Sequence, residues 1–212
     1  MTHQNNIQFS HNFCESRLNN NEGPEYFNAY SAIFITLIPF YYGIPVNYHL
    51  KKVAIMLILN GGFSFYYHYS LVWLGKQLDE VTMFLANYYY LCGLLKYYTD
   101  EDIKMRITTV STIILPVLIA VNTIPQYDIY FPYIFTLYTV PTIFIVVDIA
   151  ITQNKIREML LNLTITSIGC ISWVISEYKC NNITTYGHVL WHIFFIIGIY
   201  RFVKMYDDCN SD

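Results

Sequence analysis

The stretch Val110-Ser-Thr-Ile-Ile-Leu-Pro-Val-Leu-Ile-Ala-Val121 carries no charge and no alternation of apolar with polar positions. A strand of a membrane barrel would alternate with a period of two, and a soluble surface helix would keep one polar face. This run does neither, so it reads as a helix embedded in lipid. Working outward from it, six further apolar stretches follow the same rule. The seven lie at 27–46, 53–73, 80–98, 107–123, 129–148, 158–176 and 185–203. Each is close to the roughly 20 residues that cross about 30 Å of hydrocarbon as a helix. Tyr97, Tyr98, Tyr127 and Tyr130 crowd the ends of these stretches, where aromatic belts belong. Pro39, Pro116 and Pro141 fall inside them, which membrane helices tolerate.

Composition agrees. Of 212 residues, 55% are hydrophobic and 13% charged, and mean hydropathy is +0.34. A soluble domain carries about 25% charged residues. The net charge of -3 offers no basic excess for nucleic acid. The expected fold is an all-α, seven-transmembrane-helix bundle. It divides into an N-terminal segment 1–26, a membrane domain 27–203 and a tail 204–212.

Seven crossings put the termini on opposite sides. Arg17, Lys76 and Lys179 fall on the N-terminal side, and the other nine of the twelve basic residues fall on the C-terminal side. The positive-inside rule makes the C-terminus cytosolic and the N-terminus lumenal. The polar, Asn-rich first 26 residues show no cleavable signal peptide, so the first helix is expected to act as a reverse signal anchor. Cys14 and Cys180 are the two cysteines on the oxidising side. A disulfide between them is the expectation, with two free thiols as the alternative. The sequon Asn182-Ile-Thr184 falls in the same lumenal loop.

Polar groups at membrane depth carry the functional signal, because each costs several kcal/mol unless it is paired or used. Ser64 and His68 share one face late in the second stretch. Asp79 and Glu80 open the third, and His188 and His192, again at i and i+4, begin the seventh. Alternating helix directions place His68, Asp79, His188 and His192 at one depth near the lumenal side. Three imidazoles and one open position are the donor set of a catalytic zinc site. Taken singly, the features have blander readings: a hydrogen-bonded His pair, a core histidine, an acidic pair complementing a helix dipole. Their coincidence favours a metal.

Ser64-Phe-Tyr-Tyr-His68, followed by Gln77-Leu-Asp79-Glu80 and Met83, resembles the second and third helices of the alkaline ceramidases. Tyr186-Gly-His188-Val-Leu-Trp-His192 resembles that family's seventh-helix metal motif, and Phe13-Cys14-Glu15 with Glu25-Tyr-Phe-Asn28 resembles its leader. The wider seven-helix superfamily also holds adiponectin-type receptors and lipid-remodelling hydrolases, which stand as alternatives: a lipid receptor, or a hydrolase acting on GPI anchors. The resemblance implies an intramembrane amidase of endoplasmic reticulum or Golgi membranes that hydrolyses ceramide to sphingosine and a fatty acid. It implies Zn²⁺ on His68, His188 and His192, with Asp79 and Ser64 as catalytic groups. It implies Ca²⁺ on Asn12, Phe13, Glu15 and Glu25, although Arg17 stands where an Asn ligand is expected and the spacing from Cys14 to Glu25 is one residue short. It also places a lumenal disulfide at Cys14 and Cys180.

Overall fold

A computed structural model describes residues 13–20, 23–98 and 100–207. Among them the secondary structure is all helical. A short helix α1 (Cys14–Leu18) precedes α2 (Tyr26–Tyr42), α3 (Tyr48–Ser70), α4 (Trp73–Leu94), α5 (Glu101–Asn122), α6 (Phe131–Thr152) and α7 (Ile156–Tyr178). The last helix, α8 (Thr184–Asp207), opens with a 3₁₀ turn and contains a π-helical stretch at Trp191–Phe195. Among the described residues four helices, α5 to α8, are long and apolar enough to cross a membrane by themselves. The chain is an all-α membrane protein.

Several helices begin earlier than the apolar stretches suggest. α3 starts at Tyr48 rather than 53, because the Asn47 side chain accepts hydrogen bonds from His49 N (2.9 Å) and Leu50 N (3.2 Å) and caps the helix there. α5 starts at Glu101 rather than 107, capped in the same way by Asp100. α4 starts at Trp73 rather than 80, so Asp79 and Glu80 sit in its second turn and do not open the helix. Its polar first turns are held by partners: Lys76, which counts as an outside charge in the sequence, is buried with Glu80 at 2.6 Å. Hydropathy marks where hydrocarbon is tolerated; backbone hydrogen bonding continues past it.

The closest packing joins α2 to α3 and α3 to α4, while α8 lies along α7 and returns to α2. α3 turns into α4 through Leu71 in the left-handed region (φ 51°) and Val72. At Gly75 a Cβ would come within 2.9 Å of Tyr67 Cα, so only glycine permits this close a return. Toward one end of the bundle Ile35, Leu50, Val53, Leu57, Leu94 and Val203 form an apolar core. The other end gathers the buried Ser31, Ser64, His68, Glu80 and His192 of α2, α3, α4 and α8. α5 and α6 flank α4 and turn Ile113, Val117, Leu137 and Phe144 outward, as lipid-facing surfaces do.

Candidate metal centre and active site

α3 delivers His68 in its last turns, and α8 delivers His188 and His192 in its first. All three are buried, at 1%, 5% and 2% exposure, and their donor nitrogens lie within 4.8 Å of one another. His188 Nε2 and His192 Nε2 approach to 3.1 Å. Two imidazole nitrogens on one tetrahedral zinc at about 2.0–2.1 Å would stand about 3.3 Å apart, so the pair is spaced to share an ion. Backbone features set this arrangement. A Cβ at Gly187 would meet the Ser172 carbonyl oxygen of α7 at 2.1 Å, so glycine lets α8 start against α7. The π-helical stretch then widens the turn that carries His192.

Outer partners aim two of the rings. Glu25 Oε2 lies 2.6 Å from His68 Nδ1. A carboxylate only accepts, so Nδ1 carries the proton and Nε2 is left with its lone pair, as a metal ligand needs. Burial alone would raise the Glu25 pKa. Hydrogen bonds from His68, Ser16 and Asn28 outweigh it and hold the carboxyl below its ordinary range. His192 Nδ1 lies 2.8 Å from the Ser31 hydroxyl. The Phe13 ring packs across His188 and His68, with centroids 4.3 and 5.1 Å away, and shuts the cluster on the α1 side.

Beside the histidines stands an acid. Asp79 Oδ1 accepts from Asn60 Nδ2 at 2.7 Å, and the same amide group reaches the Asp79 backbone carbonyl at 2.9 Å. Ser64 and His68 both lie within electrostatic reach of this carboxylate. Asn60, Ser64 and His68 follow at i, i+4 and i+8, so one stripe of α3 faces the start of α4. The cluster thus offers three bare or bareable nitrogens, a carboxylate able to move a proton, and a hydroxyl donor.

The leader is tied over this end. Cys14 and Cys180 form a disulfide, and Arg17 bonds Glu177 Oε2 at 3.0 Å and its carbonyl at 2.9 Å. Of the residues expected around calcium, Asn12 lies outside the described residues. Glu15 accepts from Phe27 N (2.9 Å) and Asn28 N (3.0 Å), capping α2, and Glu25 is engaged with His68. Sequence reasoning missed Ser31, Asn60 and the role of Glu25 toward His68. Only Asn60 left a trace, as a third polar residue in phase with Ser64 and His68. It also missed the buried Lys76–Glu80 pair, completed by Asn122 Nδ2 at 2.8 Å from Glu80 Oε2.

Fold and site together define a class: an all-α membrane protein with a buried three-histidine centre fit for a metal ion. The chain belongs to the ceramidase family, whose model matches residues 6–211, and is a ceramide-hydrolysing enzyme. It is similar to alkaline ceramidase 1 of Mus musculus, with 25% identity over 202 residues, covering 85% of this chain and 72% of the relative.

Proposed function

We propose that this enzyme is a zinc-dependent intramembrane amidase that cleaves ceramide to sphingosine and a free fatty acid. The observation that carries the reading is the convergence of His68, His188 and His192, all buried, beside the Asp79–Ser64 pair. A zinc ion held by the three histidines would polarise the amide carbonyl and acidify a water molecule. Asp79 accepts the proton of the attacking water, whose oxygen bonds to the carbonyl carbon. It then returns that proton to the nitrogen as the C–N bond breaks, because the amine must leave protonated. Ser64 donates a hydrogen bond to the oxyanion, a contribution commonly worth about 3 kcal/mol. Asn60 holds Asp79 in place through the contact at 2.7 Å. Phe13 limits water on the α1 side.

In this reading α2 to α8 are seven crossings, with α1 in the lumen and Asp207 at the cytosolic end, in endoplasmic reticulum or Golgi membranes. The excess of basic residues on the C-terminal side supports that orientation, and so does a disulfide at the opposite end. Exposed Asn182 reports on it: endoglycosidase should shift the wild-type band and leave Asn182→Gln unchanged. The catalytic assignment is tested with purified protein and ceramide. Wild type should release fatty acid, and His192→Ala and Asp79→Ala should lose at least about 10³-fold in turnover. Full turnover by both variants would refute the assignment.

A further inference from the structure

His192 meets the cluster through Nε2, and the partner of its other ring nitrogen belongs to a different helix. Nδ1 lies 2.8 Å from the Ser31 hydroxyl on α2. A hydroxyl has one proton, and the Asn28 backbone carbonyl, 3.0 Å away in the preceding turn, can only accept, so both contacts form together only when Ser31 donates to Asn28 and Nδ1 donates to Ser31. Ser31 Oγ therefore has only lone pairs to offer His192, and Nδ1 is the donor. A neutral imidazole protonated at Nδ1 keeps its lone pair on Nε2, the atom 3.1 Å from His188 Nε2.

We infer that Ser31 is a positioning residue for metal binding: its hydroxyl fixes the Nδ1–H tautomer and the ring plane of His192, so that Nε2 is presented to the ion. The inference rests on reading the three histidines as a zinc site. Ser31 is buried and touches the centre through His192. With Glu25 acting on His68, the N-terminal part of α2 orients two of the three ligand rings while supplying no ligand itself. Glu15 fixes that turn by capping Phe27 and Asn28. Outer partners of metal-bound histidines act in this way, setting tautomer and orientation before the ion arrives.

The test uses the full chain in detergent micelles, stripped of metal, with zinc affinity read by competition against a chromophoric chelator. Cobalt(II) absorption reports the geometry of the site. Ser31→Ala should weaken zinc binding by about 10- to 100-fold and shift the cobalt bands, while the metal-free protein unfolds at the wild-type temperature. Ser31→Thr, which keeps a hydroxyl able to bond the preceding turn, should restore binding to within about threefold. Unchanged zinc affinity and an unchanged cobalt spectrum in Ser31→Ala would overturn the role of Ser31 and leave the zinc reading standing. A loss that Ser31→Thr does not restore would assign the effect to packing and overturn it as well. A wild-type protein that takes up no zinc would overturn the zinc reading, and this inference with it.

Discussion

At one end of the bundle, α2, α3, α4 and α8 meet through Ile35, Leu50, Val53, Leu57, Leu94 and Val203. At the other end the same four helices meet through Glu25, Ser31, Ser64, His68, Asp79 and His192. The first set is held by non-directional packing, in which any side chain of similar volume serves. In the second, each group is placed by a particular partner. Glu25 aims His68, Ser31 aims His192, and Asn60 holds Asp79, so removing one partner strands another buried polar group. The Lys76–Glu80–Asn122 contacts between α4 and α5 show a third arrangement, in which a buried cation and anion satisfy each other at 2.6 Å. Buried polarity alone therefore does not distinguish the proposed centre. What distinguishes it is donor atoms converging on one point.

The contrast can be broken in order of expected effect. The largest is at the polar end: Asp79→Asn should keep the fold and the metal yet lower ceramide turnover by about 10³-fold, measured as fatty acid released. If turnover fell less than about tenfold, Asp79 would not be the proton carrier. Next is Gly187→Ala, whose added Cβ would meet Ser172 O at 2.1 Å and push α8 off α7. It should reduce both zinc content and activity, whereas Gly62→Ala, with open space around it, should change neither.

The apolar end should answer differently. Leu57→Ala removes a buried side chain and should destabilise by about 2–4 kcal/mol, read from denaturant unfolding, with zinc affinity of the folded protein retained. Loss of zinc at wild-type stability would erase the distinction between the two ends. Breaking Cys14–Cys180 is comparable in size. The bridge closes a long loop and pins the leader over the centre, so Cys14→Ser should cost about 2–5 kcal/mol and raise solvent exchange around Phe13. The smallest effect concerns calcium. Glu15 and Glu25 already serve α2 and His68, so a calcium-selective chelator at fixed zinc should change turnover by less than about twofold, and a larger loss would mark a calcium site in the leader.

What the sequence made legible follows the same division. α7 and α8 run Ile156–Tyr178 and Thr184–Asp207, close to the apolar stretches 158–176 and 185–203. α3 and α4 start well before theirs, since Lys51, Lys52, Lys76 and Asp79 look like loop residues and yet lie on helix, held by a cap or an ion pair. The grouping of His68, His188 and His192 was legible because an imidazole at membrane depth is conspicuous and helix direction fixes its depth. Ser31 was not, since a lone serine in an apolar helix usually bonds its own backbone. Its hydrogen bond to His192 exists only because α2 and α8 are neighbours, a fact of packing that no local pattern records. Glu25 was read as part of the leader, for the same reason.

The central claim is that His68, His188 and His192 hold the ion on which the reaction depends. Its most direct test is metal analysis of protein purified without added metal, paired with ceramide turnover before and after chelation. The account predicts about one zinc per chain, loss of zinc and activity together in His68→Ala, and recovery of the stripped wild type on adding zinc. A protein free of metal that still hydrolyses ceramide at the full rate would contradict it.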